Sequence, residues 1–243
     1  MWTLANREIR SFFSSLIGYM VIGIFAVIMG LILWVFPDFS LLNYNYAGLE
    51  QLFSLAPMMF IFLIPAVTMR SFSEELQNGT LEILLTKPLY EFEIVLGKFI
   101  ASLCLVGIAL LPTGLYYFSI YQLGSPVGNI DSGSVIGSYI GLLFLSAGFT
   151  AIGVFCSSFF KNQIVSFLSA LCLCYLIYFG FFYISKLPVF FGKTDDIIQQ
   201  LGMDYHYNSM GKAQLLLSDC VYFITLAGLF LYLTVENIKS RTF

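Results

Sequence analysis

The sequence predicts an all-α integral membrane protein with six transmembrane helices, and three observations predict it. Hydrophobic residues make up 59% of the 243-residue chain and charged residues 10%, with a mean hydropathy of +0.88, which is not the composition of a soluble core. Six apolar runs approach the length that a helix rising about 1.5 Å per residue needs to cross roughly 30 Å of hydrocarbon. Lys and Arg are distributed between the connections as a positive-inside bias requires.

Before the first run, residues 2–13 place Trp2, Ala5, Ile9, Phe12 and Phe13 near one helical face, opposite Asn6, Glu8 and Arg10. That pattern predicts an N-terminal interfacial helix lying in the headgroup plane, with a polar lead-in to the first span as the plain alternative. Glu8 and the lack of a small-residue cleavage site mark the first run as retained rather than as a removable signal.

The expected spans are about 16–36, 52–69, 99–121, 135–160, 164–184 and 220–235, so that residues 1–243 form a single transmembrane domain. The sixth is short and crosses with help from flanking residues. Pro57 and Pro65 in the second span and Pro112 in the third each remove a helical hydrogen bond. They either kink the helices or are accommodated by neighbours, as proline in membrane helices often is. Gly137 and Gly141 open the fourth span with a small-xxx-small spacing that permits close helix contact.

Orientation follows from the basic residues. Arg7, Arg10, Arg70, Lys87, Lys98, Lys161, Lys239 and Arg241 fall on one side, and only Lys186, Lys193 and Lys212 on the other, all in one longer loop. The first side is therefore expected to be cytoplasmic, with both termini there.

Several function classes are disfavoured. A net charge of −3 without any Lys/Arg cluster gives no surface for nucleic acid. Cys104, Cys156, Cys172, Cys174 and Cys220 lie in apolar stretches and read as small buried hydrophobes rather than a disulfide framework. Cys172 and Cys174 are two residues apart and point to opposite sides of a helix, and His206 is the one histidine, so no metal site is expected. His206 reads as a hydrogen-bonded loop residue. The expected spans hold no charged or histidine side chain, which argues against proton or ion coupling. Gly192-Lys193-Thr194 lacks the first glycine of a phosphate-binding loop, since Leu187 stands there, and Asn78-Gly79-Thr80 reads as a turn rather than a glycosylation site.

The most informative stretch is the connection 70–98, with five glutamates within twenty residues. Thr80 is placed to cap a short helix over 81–86, which Pro88 bounds. Leu81, Leu84 and Leu85 share its apolar face, leaving Glu74, Glu75 and Glu82 open to water or to a partner. This is either a docking knob for a soluble protein or an acidic solvated linker.

Glu74-Glu75 followed by Gly79-Thr80-Leu81-Glu82-x-Leu84-Leu85-Thr86-x-Pro88 resembles the cytoplasmic coupling-helix signature of ABC-2 type ABC transporter permeases. The likeness extends over nearly the whole chain, and is strongest to the gliding-motility branch of that class. The stretches that carry it are 11–19, 55–72 and 121–131. The resemblance implies a subunit without a nucleotide site or enzymatic activity, in a bacterial cytoplasmic membrane. It also implies an ABC ATPase subunit as partner, holding the ATP and Mg²⁺, and a second permease copy or a sister permease beside it in the membrane lipid. Nucleotide-driven closure of the ATPases would push the helix at Leu81 to Thr86 and tilt spans two and three, exporting a substrate. Residues 195–218 resemble the outer re-entrant helices of the class and are expected to form a lid. A non-transporting anchor or force-transmitting subunit of a motility or secretion complex is the rival reading; reconstituted transport separates the two.

Overall fold

A backbone inside hydrocarbon has to satisfy its own N–H and C=O groups, so long apolar runs fold as helices and meet one another through side chains. A computed structural model describes residues 1–41, 47–85, 90–188, 192–210 and 216–241. Among the described residues every regular element is a helix, without a strand. Helix α1 (Trp2–Ser14) leads into α2 (Leu16–Trp34), and α3 (Glu50–Thr68) continues through Met69 into α4 (Arg70–Asn78). The short α5 (Leu81–Leu85) precedes α6 (Glu91–Leu110), which passes through a 3-10 turn at Leu111–Thr113 into α7 (Gly114–Leu123). Then come α8 (Ser132–Phe159), α9 (Gln163–Tyr175) with a π-type turn at Leu176–Gly180 and α10 (Phe181–Ser185), α11 (Lys193–Gln199), α12 (Met203–Met210) and α13 (Leu217–Lys239).

Among the described residues six helices are long and apolar enough to cross a membrane: Leu16–Trp34, Glu50–Asn78, Glu91–Leu123, Ser132–Phe159, Gln163–Ser185 and Leu217–Lys239. The all-helical, six-span fold class is therefore the observed one. Three spans are longer than the apolar runs suggest. The second and third run on toward α5, to Asn78 and from Glu91, because charged residues there are paired within the protein and do not end the helix. The sixth is 23 residues long and not short: Asp219 is buried in its first turn and Glu236 pairs with Lys239 in its last.

Helix α8 is the central post, packing on α3, α6, α9, α12 and α13. Its small residues make this possible. A Cβ at Gly153 would collide with the Thr68 side chain of α3, so glycine is what lets the two helices touch there. Pro112 converts one turn of the third span to 3-10 geometry, whereas Pro57 and Pro65 lie inside a continuous helix. The cysteines divide: Cys156 and Cys174 are buried, but Cys104 and Cys172 face outward, as position on a lipid-facing stripe dictates.

Among the described residues two apolar clusters form the core. The larger joins α2, α3, α6, α8 and α9. The smaller gathers Leu4, Phe72, Leu76, Leu81, Leu84, Ile94, Val235 and Ile238 at the end of the bundle that carries the N-terminus, here called the N-terminal pole. Helix α1 is docked into that cluster rather than lying free. Its buried residues are Leu4, Ala5 and Phe12, while Trp2 is 71% exposed. The expected apolar face is the inward one at Ala5, Ile9, Phe12 and Phe13 and departs only at Trp2, while Leu4 and Glu8 extend it on the side toward α6. Gly97 of α6 lies under this contact, where a Cβ would stand 2.9 Å from Leu4 Cδ2 and 3.3 Å from the Met1 carbonyl, so the packing there is tight.

Candidate functional site

At the N-terminal pole the turn between α4 and α5 is built from backbone requirements. Gly79 takes φ 68° and ψ 16°, the left-handed region open to glycine. The Glu75 carbonyl then accepts from the N–H groups of Gly79 and Thr80, the latter at 2.9 Å, which closes α4. The Thr80 carbonyl accepts from Leu84 N–H at 3.1 Å and so starts α5. Asn78-Gly79 is the turn the sequence indicated, and the short helix follows it. Leu81 and Leu84 are buried against Phe72, Leu76, Val235 and Ile238, while Glu82 is exposed. Leu85 ends α5; Thr86 and Pro88 lie outside the described residues.

The glutamates of α4 do not share one environment. Glu74 is held by Arg70 of its own helix, Nε to Oε2 at 3.0 Å and Nη2 to Oε1 at 3.3 Å, and Arg70 reaches Ser15 Oγ at 3.3 Å. Glu75, expected to be open to a partner, is instead turned inward. Its Oε1 pairs with Lys98 Nζ at 3.0 Å and with Arg7 Nη2 at 3.3 Å. The physical reason is Lys98, which is only 1% exposed and needs counter-charge at that depth.

Lys98 draws on three elements. Besides Glu75 of α4, it pairs with Glu8 of α1 at 3.2 Å, donates to the Ser71 carbonyl, and lies 4.9 Å from the Phe72 ring centroid. Arg7 completes the set by donating to Glu8 at 2.8 Å. Two cations and two carboxylates thus knot α1, α4 and α6 together. Burial works to raise the Glu8 carboxyl, but Lys98 and Arg7 outweigh it and hold the group below its ordinary value. Arg7 is shifted upward by its hydrogen bond to Glu8, despite partial burial. A cavity of about 50 Å³ beside the knot has Glu8, Arg70, Glu74 and Lys98 in its walls and is large enough to admit water.

Further bonds tie this pole to the central post. Ser73 Oγ donates to the Ser157 carbonyl at 3.1 Å, and Asn237 Nδ2 donates to the Ser158 carbonyl and hydroxyl at 3.0 and 2.8 Å. Helix α4 is thus joined to α5 at Gly79, to α1 and α6 through charges and to α8 through a hydrogen bond.

At the opposite pole, α12 is clamped. His206 bonds Asp219 Oδ1 at 2.7 Å and the Gln200 carbonyl at 2.8 Å, and it stacks on Tyr222 with centroids 4.0 Å apart. Tyr207 donates to the Phe53 carbonyl at 2.7 Å. His206 is thus a hydrogen-bonded structural residue, on a helix rather than a loop. Among the described residues no group of three or more His, Cys, Asp or Glu is placed to hold a metal.

Sequence order gives Arg7 and Lys98 as basic residues of one side and Glu8 as part of a polar face, but not their pairing, nor that of Asp219 with His206. A signal for Lys98 is present: Ile94, Val95 and Ala101 flank it at helical spacing, so a lysine on that largely apolar face calls for a buried partner.

Residues 2–234 match the protein-family model described as ABC-2 family transporter protein. No curated protein matches the chain.

Proposed function

The chain belongs to the ABC-2 family of transporter proteins, a multi-pass membrane transport component rather than a catalyst, and from that premise we propose that it is the permease subunit of an ATP-driven exporter. A separate ABC ATPase subunit binds ATP and Mg²⁺ beneath it, and a second permease copy or a sister permease completes the pathway. The membrane is the bacterial cytoplasmic membrane, with both termini in the cytoplasm. Arg7, Arg10, Arg70, Lys98, Lys161, Lys239 and Arg241 gather toward the N-terminal pole, and the positive-inside bias supports that orientation. The likeness to the gliding-motility branch supports export linked to gliding or to delivery at the cell surface.

The observation that carries the proposal is the construction of α5. Its apolar face, Leu81 and Leu84, is sunk in the protein while Glu82 faces out, and it is joined at Gly79 to a helix whose Glu75 is locked to α1 and α6. A soluble partner bearing on Glu82 moves a rigid unit rather than a loose loop. ATP binding and hydrolysis by the partner supply the free-energy difference between two arrangements of that unit, and the spans follow. The coupling set comprises Glu74, Gly79, Thr80, Glu82, Leu85, Thr86 and Pro88 toward the partner, with Glu75, Leu81 and Leu84 acting from within.

Affinity purification through this chain is expected to bring down an ATP-binding subunit, and Glu82→Lys is expected to weaken that association and the stimulation of ATPase activity. If the charge reversal leaves assembly and stimulation unchanged, α5 is not the coupling element. A purified complex that hydrolyses ATP yet moves no lipid, polymer or peptide into or out of proteoliposomes overturns the exporter reading.

A further inference from the structure

The pole opposite the N-terminus holds a cavity that the coupling geometry does not use. It has a volume of about 380 Å³ and lies between the end of the fifth span and α12, with Tyr178, Phe182, Gln199, Asp204, Tyr205 and Asn208 in its walls. Asp204 sits in the first turn of α12. Its Oδ1 accepts from Asn208 Nδ2 at 2.8 Å, and the carboxyl also bonds the Tyr178 hydroxyl. Both partners are neutral. No Lys or Arg lines the cavity among the described residues. Burial accordingly holds the Asp204 carboxyl above its ordinary value, against the pull of the hydrogen bonds from Tyr178 and Asn208.

A half-buried carboxylate with only neutral partners gains more from an arriving cation than from any other ligand charge. The same walls carry three aromatic rings, of which Phe182 and Tyr205 are 38% and 44% exposed. Aromatic faces attract ammonium groups, and here ring faces and a few convergent polar groups, Gln199, Asp204, Asn208 and Ser209, share one concave surface. The protein already makes one such contact at the rim: Lys186 Nζ lies 5.6 Å from the Phe182 centroid while pairing with Asp195 at 3.5 Å. Across Asn208 a second cavity of about 800 Å³ has Glu50 and Asp131 in its walls and again no Lys or Arg among the described residues. Acidic side chains thus line a cavity on each side of α12, with Lys186, at the rim of the first, paired to Asp195.

We propose that the cavity at Asp204 binds an alkylammonium group, with the Asp204 carboxylate as counter-charge and the Phe182 and Tyr205 rings as walls. The ammonium arrives either on an aminolipid headgroup or on a soluble amine. The site needs no ATPase for its occupation, so its test stands apart from the co-purification that tests the permease assignment.

The full-length chain in nanodiscs is titrated calorimetrically with choline and with ethanolamine, and with 3,3-dimethylbutanol as the uncharged isostere of choline. In parallel, native mass spectrometry compares retention of phosphatidylethanolamine with phosphatidylglycerol. Choline is expected to bind at least tenfold more tightly than the isostere. Asp204→Asn, which keeps the shape and the hydrogen-bonding positions, is expected to weaken choline at least tenfold, and Tyr205→Ala, at an exposed rim position, several-fold. Preferential retention of phosphatidylethanolamine that depends on Asp204, without binding of the free amines, assigns the ligand to the lipid; binding of the free amines without lipid preference assigns it to a soluble amine. Equal binding of choline and its isostere, wild-type affinity in Asp204→Asn, or no binding of amine or aminolipid overturns the proposal. Should Asp204→Asn fail to fold, the choline-to-isostere ratio in the wild type together with Tyr205→Ala decides it.

Discussion

An ammonium group at 1% exposure, as at Lys98, brings its counter-charges with it, and here they come from α1 and α4. Removing one member of such a cluster leaves the others buried and uncompensated, so Lys98→Met is expected to cost about 3–5 kcal/mol of stability. Thermal unfolding in detergent measures it. The double variant Lys98→Met with Glu75→Leu removes opposite charges together and is expected to recover part of that loss while still uncoupling ATPase stimulation; full coupling in the double variant would show that the knot is not the transmission element. Acid offers a second probe. The folded Glu8 carboxyl titrates below its ordinary value, so its stabilising effect is complete above the unfolded value and disappears as pH falls through the lower folded one. Unfolding temperature should therefore decline across that acidic interval, and Glu8→Gln should flatten the decline. These residues were visible in the sequence only as the edge of an apolar run. A count of consecutive apolar residues stops at the first charge, whereas a helix continues through any charge that finds a partner.

At the scale of elements, α5 shows how far local rules reach. Gly79, Thr80 and the spacing of Leu81 and Leu84 predicted a turn and a short helix, and the structure has both, because each needs only neighbouring residues. Gly79→Ala places a Cβ at φ 68° and is expected to cost about 1–2 kcal/mol, read as a lower unfolding temperature. Leu84→Ala empties part of the smaller apolar cluster and is expected to cost about 2–5 kcal/mol, with ATPase stimulation falling alongside stability. The inward turn of Glu75 was beyond local rules. From sequence alone, Glu74 and Glu75 are adjacent and equivalent; only the approach of α1 and α6 separates one that pairs within its own helix from one that fastens three helices. The same holds for α1, whose inward side includes Glu8 because Lys98 of α6 pairs with it. At the other pole, the His206 contacts to Asp219, the Gln200 carbonyl and Tyr222 fix α12 to the start of the sixth span. His206→Ala is expected to speed amide exchange in α12 while leaving the slow exchange of α8 unchanged.

For the molecule as a whole, the proposed orientation has a direct check: single cysteines introduced at exposed Ser14 and Gln122, in a background without the five native ones, should react with impermeant reagents from opposite sides of the membrane, Ser14 from the cytoplasmic side. Labelling of both from one side would overturn the topology. The sequence by itself determined the all-helical class, the number of spans and the place of the short helix after Gly79, since hydropathy and backbone conformation act over a few residues or along one helix. It also carried the likeness to ABC-2 permeases that the match over residues 2–234 bears out. Only the tertiary structure decided the true ends of the second, third and sixth spans, the docking face of α1, the burial of Lys98 and the cavity around Asp204. Each of these depends on which charge meets which across helices distant in sequence. A buried charge is stabilised by its partner and not by its neighbours in the chain, so its position cannot be read until the helices are brought together.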